Sequence, residues 1–358
     1  MLLSVVSSLL SLICVEVFLQ AYYRYTNVSW LWSYNAFRTT YIEPVNDRRQ
    51  YSLRPGFEDS GIGIKINSAG FRGSSDVDGP TPDEPVVVIL GDSKAFGSGV
   101  RDSETYASRL DRKFRDNGIP IRVLNAGVPS YNARQAIDRF RIDVASKYNV
   151  RAVVFQVPFN DISLASHYRD DWGPDVTWAG ARFGDFAPPL PWTQKSAIVY
   201  YVNRALQESG SPSRPSQGEI TYESVPSERL AAHLKNEISG FLQECGSRSI
   251  PVVLLPTDPF YYQTARFDEN ESLPLWAPSS KFVKIWQPLV LSYDALLKDA
   301  AGTSEFILWL DIRRNFDETD RSKLYIDFIH YSAEGNQLVA DNIYNLLTSD
   351  PTRDKLTP

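Results

Sequence analysis

Val86-Val87-Val88-Ile89-Leu90-Gly91-Asp92-Ser93 decides the fold class of this chain. Five consecutive branched or aliphatic residues with no polar alternation read as a strand buried on both faces, as in the middle of a parallel sheet. Four further runs of the same character follow, at Ile119 to Leu124, Ala152 to Val157, Ile250 to Leu255 and Phe306 to Leu310. Between and after them lie stretches of helical period: Glu104 to Asp116, Ala133 to Lys147, Ser227 to Cys245, Phe282 to Leu297 and Ala333 to Leu347. Strand alternating with helix predicts an α/β sandwich around a mainly parallel five-stranded sheet. Ligands of such sheets bind beyond the carboxyl ends of the strands, so the residues just after each apolar run carry the functional reading.

After the first run stands Gly91-Asp92-Ser93, with Gly97 and Gly99 close behind. A tight turn there lifts the serine hydroxyl into a cleft. Serine attacks only when a base removes its proton, and the base needs a carboxylate to hold its tautomer. The chain has three histidines. His167 falls in an irregular region and His233 in a surface helix, and both read as structural or solvated. His330 follows the last strand, three residues after Asp327 and just before a helix starting near Ser332, so one short loop can present base and carboxylate together.

An oxyanion needs preplaced donors. Asn160, in Pro158-Phe159-Asn160-Asp161 after the third run, offers a side-chain amide. The turn Asn125-Ala126-Gly127-Val128-Pro129-Ser130 after the second run offers backbone N–H groups. The catalytic set expected is Ser93, Asp327 and His330, with Ser93, Ser130 and Asn160 forming the oxyanion hole.

In this order, the four blocks resemble the SGNH (GDSL-like) hydrolase superfamily over residues 86–161 and 308–347. Ile66-Asn67-Ser68-Ala69-Gly70-Phe71-Arg72-Gly73 resembles the lead-in of its membrane-anchored and secreted bacterial members. The resemblance implies a flavodoxin-like three-layer α/β/α sandwich, acyl-ester chemistry and no metal or other cofactor. It also places Ser130 where the family has its oxyanion glycine, and Pro158 where it has a glycine two places before the asparagine.

Length and composition allow this enzyme class and disfavour others. The 358 residues, 43% hydrophobic, can fill one large domain with insertions. A net charge of -6 with acids and bases mixed leaves no basic stripe, so nucleic acid is not an expected partner. Two cysteines, Cys14 and Cys245, make no disulfide framework. Leu2 to Leu19 is an apolar run broken by four serines and Glu16, about long enough to cross a bilayer as a helix. It is read as a transmembrane anchor; a cleaved signal peptide and a buried helix remain open. Tyr22, Tyr23, Tyr25, Trp30 and Trp32 would suit an interfacial belt.

The expected organisation is an anchor over 1–26, a lead-in over 27–84 packed on the domain, a hydrolase-like domain over 85–348 with insertions at 163–223 and 259–281, and a flexible tail over 349–358. Arg24 and Arg38 after the run, with no basic residue before it, argue for a cytoplasmic domain. The location usual for anchored members of the resembled family argues for the periplasmic or extracellular side, which is the expectation adopted. Trp172, Trp178, Phe183, Phe186 and Trp192 in the first insertion could stack sugar rings or pack its own core. The substrate expected is an acylated carbohydrate, with O-acetyl groups of an envelope or exported polysaccharide first and another small acyl ester next. Hydrolase and acyltransferase outcomes both stay open. The rival reading is a membrane-tethered glycan-binding or assembly protein that keeps the fold without turnover.

Overall fold

The computed structural model describes residues 2–27, 41–61, 63–73, 83–178, 196–199, 201–202, 225–257, 280–312, 321–327 and 329–349. Side chains at 2–6, 9, 23–27, 280–284 and 321–322 lie outside that description.

The five apolar runs form one parallel sheet. Its strands are β5 (Pro85–Gly91), β6 (Arg122–Asn125), β7 (Asn149–Gln156), β8 (Val252–Leu255) and β9 (Ile307–Trp309), in spatial order β6-β5-β7-β8-β9. Counted along the chain this is the 2-1-3-4-5 order of flavodoxin-like sheets, whose switch point lies beside the first strand. The pleat sorts the apolar side chains onto two faces. Val86, Val88 and Leu90 join one core with Val153, Phe155, Val252 and Leu254. Val87 and Ile89 join the other with Ala152, Val154, Val253 and Leu255. Each fully buried aliphatic side chain contributes about 1.5–3 kcal/mol, which explains a strand with no polar position.

Helices cover both faces. α3 (Tyr106–Asp116) and α9 (Ala333–Thr348) pack on the face of Val87 and Ile89. On the opposite face lie α4 (Ala133–Arg139), α5 (Asn160–Tyr168), α6 (Ser227–Ser247) and α7 (Ser280–Ala301). The helix expected over 133–147 is shorter than its pattern, because after Arg139 the chain widens into a π-type turn over Phe140–Val144. The strand expected from Ile119 begins at Arg122; Ile119 and Ile121 instead close the end of α3 through main-chain bonds and packing.

The lead-in contributes two small antiparallel pairs absent from the sequence reading: β1 (Ile42–Pro44) with β2 (Tyr51–Leu53), and β3 (Glu58–Asp59) with β4 (Ile64–Lys65). Buried arginines bind it to α4. Arg139 donates to Ser52 Oγ (2.7 Å), Gly70 O (2.6 Å) and Asp143 (3.0 Å), and Arg134 donates to Arg48 O (2.9 Å). Tyr51 Oη reaches Pro129 O (3.3 Å), so the lead-in touches the turn after β6 directly.

The N-terminal run forms α1 (Leu2–Asn27). Among the described residues, no helix is long and apolar enough to cross a membrane. Glu16, the acid in this apolar run, has a packing role. Its carboxylate accepts from Ala197 N (2.7 Å), Ile198 N (3.0 Å) and Ser196 Oγ (2.8 Å), capping a helical turn of the first insertion, and from Gln20 Nε2 (2.8 Å). Both cysteines are free, Cys14 exposed and Cys245 buried. Of the expected insertions, 179–195, 200, 203–223 and 259–279 lie outside the described residues, as do Trp30 and Trp32, expected in an interfacial belt, and the tail from 350.

Candidate active site

β5 delivers Ser93 to the carboxyl edge of the sheet through Gly91. A Cβ on Gly91 would stand 2.4 Å from Gln156 O, so only glycine lets β5 and β7 close up there. Ser93 opens α2 (Ser93–Phe96), a single turn capped by Asp92, whose Oδ1 accepts from Lys94 N (3.0 Å). The turn after β6 lies hard against α2: a Cβ on Gly127 would come within 2.3 Å of Phe96 N.

Asp327 and His330 sit in the loop between α8 (Arg321–Leu324) and α9. Tyr325 and Tyr331 pair across its base, and Ile326 N donates to His330 O (3.0 Å). Ser332 then caps α9 by accepting from Gly335 N (3.1 Å). Within the loop, Asp327 Oδ1 accepts from the backbone N–H groups of Ile329 (2.9 Å) and His330 (2.7 Å). Asp327 Oδ2 lies 2.7 Å from His330 Nδ1, and His330 Nε2 lies 2.8 Å from Ser93 Oγ. With Asp327 ionised, Nδ1 carries the proton and Nε2 faces the serine hydroxyl as acceptor. The three residues expected to act together, 237 positions apart from serine to histidine, therefore form one hydrogen-bonded chain.

Burial pushes the Asp327 carboxyl upward. The charge and Nδ1–H of His330 and the two backbone N–H bonds outweigh that and hold it below the ordinary carboxylate value. Asp92 is the reverse. Its complete burial raises it, and the Lys94 charge, the Lys94 N–H, His330 and the Phe159 N–H offset this only in part. Asp161, also fully buried, is pushed up to about 7 by desolvation; Ala133 N–H and its own N–H lower it and the Asp92 charge adds to the rise.

Asn160 is the first residue of α5 and stands at the site as expected. Its Nδ2 donates to Asp92 Oδ2 (3.1 Å) and to Tyr131 O (3.1 Å), and Phe159 N donates to the same Asp92 oxygen (3.2 Å). Both amide hydrogens are thus directed at protein acceptors, and the side chain ties the loops after β5, β6 and β7 together. Donation to an oxyanion from Asn160 requires sharing one of these bonds. Ser93 N–H belongs to the unsatisfied N-terminal donors of α2. Ser130, the expected departure from glycine, adopts φ 67°, the left-handed conformation that glycine favours, at a cost of about 1 kcal/mol for a residue with a Cβ.

Two other expectations find their place. His233 is partly buried in an edge-to-face contact with Trp172, with desolvation lowering its pKa, and His167 packs on Tyr168 and Trp178. Neither joins the site. Trp172 is buried in, and Trp178 packs against, the main core on the face of the sheet covered by α4 to α7; Phe183, Phe186 and Trp192 lie outside the described residues. Among the described residues no cluster of His, Cys, Asp and Glu has metal-binding geometry. Arg72 and Asp92, whose bonds hold the turn that carries Ser93, were not singled out from the sequence for that role. The signal available was their position inside the two resembled motifs.

No protein-family model and no curated protein matches the chain. Solved structures similar to it include a lipase/acylhydrolase from Enterococcus faecalis (16% identity, TM-score 0.44, covering 74% of this chain and 95% of that one). A member of the lipolytic protein G-D-S-L family from Veillonella parvula matches at 12% identity and TM-score 0.42, covering 74% and 98%. A variant of an acetyl-xylooligosaccharide esterase from Geobacillus matches at 17% and 0.41, covering 75% and 96%.

Proposed function

We propose that the protein is a serine-nucleophile acyl-ester hydrolase, on the strength of one observation: the unbroken chain Asp327 Oδ2, His330 Nδ1, His330 Nε2, Ser93 Oγ, with contacts of 2.7 and 2.8 Å. His330 Nε2 takes the hydroxyl proton as Ser93 Oγ adds to the ester carbonyl. Asp327 holds the tautomer and stabilises the imidazolium. The oxyanion is met by the backbone N–H groups of Ser93 and Ser130, with Asn160 joining if one of its present bonds is shared. His330 then protonates the departing alcohol, leaving an acyl-serine. Water, deprotonated by His330, releases the acid and restores the serine; a sugar hydroxyl in place of water makes the same site an acyltransferase.

The substrate class proposed is an acylated carbohydrate, O-acetyl groups of an envelope or exported polysaccharide first. The test is hydrolysis of p-nitrophenyl acetate by the full chain beside Ser93→Ala and His330→Ala. Turnover by the wild type that falls to background in both variants is expected. A wild type as slow as its variants would remove simple esterase activity and favour the second reading, a tethered glycan-binding or assembly protein without turnover. The observation on that side is that Asn160 already spends both amide hydrogens on Asp92 and Tyr131.

We also propose that α1 attaches the protein to a membrane, with the domain on the periplasmic or extracellular side. The support is its surface: Leu10, Leu12, Ile13, Val15, Val17 and Phe18 are 47–69% exposed, an apolar patch that water disfavours. Fractionation decides it. Sedimentation with the membrane fraction at low ionic strength, lost on deletion of residues 2–20, is expected; a wild type that stays in the supernatant, or a deletion variant that still sediments, would contradict attachment through α1.

A further inference from the structure

Arg72 lies in the lead-in, outside the hydrolase-like blocks, yet its guanidinium is spent on the turn that carries Ser93. The side chain is fully buried and its donors are shared among four acceptors. Nε donates to Asp102 Oδ1 (2.8 Å), Nη1 to Phe96 O (3.0 Å) and Gly97 O (2.7 Å), and Nη2 to Val100 O (2.6 Å). The guanidinium carbon also stacks 4.3 Å from the centre of the Phe96 ring. Its own backbone N–H donates to Asn125 O (3.2 Å), and Asn125 Nδ2 donates to Phe96 O (3.3 Å). Asp102 is held in turn by Lys65 N (2.7 Å) from β4.

α2 is one turn long, and a single turn does not hold itself. Its last carbonyl, Phe96 O, has no acceptor role within the helix and needs external donors. Arg72 Nη1 and Asn125 Nδ2 supply them at the end opposite Ser93, and Arg72 also holds Gly97 O and Val100 O in the turn that follows, while Asp92 caps the beginning. We infer that Arg72 is a positioning residue for the nucleophile: by fixing Phe96, Gly97 and Val100 it sets the angle of α2 and so the 2.8 Å approach of Ser93 Oγ to His330 Nε2. It touches neither reacting atom. Lysine at this position keeps the charge but cannot serve acceptors in three directions with fixed planar geometry. The inference rests on the reading of Ser93 as nucleophile.

The test uses the full chain as wild type, Arg72→Lys, Asp102→Asn and Ser93→Ala. Ile343→Val, in the core of α9 away from the site, serves as a destabilised control. Each is checked for folding by circular dichroism and assayed well below its melting temperature. Two quantities are read: kcat and KM for p-nitrophenyl acetate, and the rate at which a fluorophosphonate modifies Ser93. Displacing a reacting group by about 1 Å costs on the order of 100-fold, so kcat and the modification rate are expected to fall together by about 10- to 100-fold in Arg72→Lys, with KM within about twofold. Asp102→Asn, which loosens only one arm of the fork, is expected to fall less, and Ile343→Val to keep wild-type kcat despite its lower melting temperature. Arg72→Lys and Asp102→Asn proteins that are folded and react at the wild-type rate would overturn the inference. So would losses that merely track the unfolded fraction. If Arg72→Lys does not fold, Asp102→Asn decides alone, a wild-type rate overturning the inference and a reduced one supporting it. A wild type that is modified no faster than Ser93→Ala would instead remove the nucleophile reading, and this inference with it.

Discussion

Ser93 stands on a turn whose polar groups find partners far away in the chain, whereas Asp327 and His330 stand on a loop closed almost wholly on itself. On the serine side, Phe96 O, Gly97 O and Val100 O are met by Arg72, and Asp92 is met by Phe159 N and Asn160. On the base side, Asp327 accepts from residues two and three places on, Ile326 pairs with His330, and Ser332 N returns to Leu324 O. The carboxylates differ in the same sense. Asp92 and Asp161, deep beneath the serine, are raised by desolvation, while Asp327, whose side chain is 34% exposed, is held low by its local donors. Ser93 is thus placed by tertiary structure and the Asp327–His330 pair by a short local motif.

The sharpest way to break the base side is Asp327→Asn. The amide oxygen still accepts from the Ile329 and His330 N–H groups, so the loop keeps its shape. The side chain no longer fixes the productive imidazole tautomer, and kcat should drop by about 10,000-fold with little change in melting temperature. A variant within about tenfold of wild type would show that the carboxylate does not orient His330.

The serine side offers a smaller, pH-dependent effect. Asp161 is raised from an ordinary value of 3.8 to about 7 in the fold. The folded chain therefore holds this proton over a range where the unfolded chain has lost it, and stability falls as pH rises from about 4 to about 7. Asp161→Asn, isosteric with the protonated acid and still able to accept from Ala133 N, should match wild type at pH 4 and exceed it by about 2–4 kcal/mol at pH 8. Urea unfolding at the two pH values measures the difference, and parallel curves for the two proteins would show that Asp161 is not a buried acid of raised pKa.

The same contrast governs what the sequence could reveal. Asp327 and His330 were legible because their relation is a spacing of three in one loop. The strands were legible because burial on both faces leaves no polar position from Val86 to Leu90. β1 to β4 were not, since strands of two or three residues carry no alternation to detect. Nor was the engagement of Asn160, which depends on where Asp92 and Tyr131 O end up after folding. The left-handed conformation of Ser130 was not legible either, since a serine carries no signal of a positive φ. The N-terminal run was read as a transmembrane helix; it is helical, but among the described residues no helix is long and apolar enough to cross a membrane, and its Glu16 could be explained only once residues 196–198 were seen beside it.

The central claim is that Ser93 is a nucleophile activated by His330, and trapping the covalent adduct tests it most directly. After treatment of the full chain with a fluorophosphonate, intact-mass and peptide mass spectrometry should show one equivalent of modification, on Ser93, forming at least about a hundred times more slowly in His330→Ala. No adduct, an adduct on another residue, or equal rates with and without His330 would contradict the account.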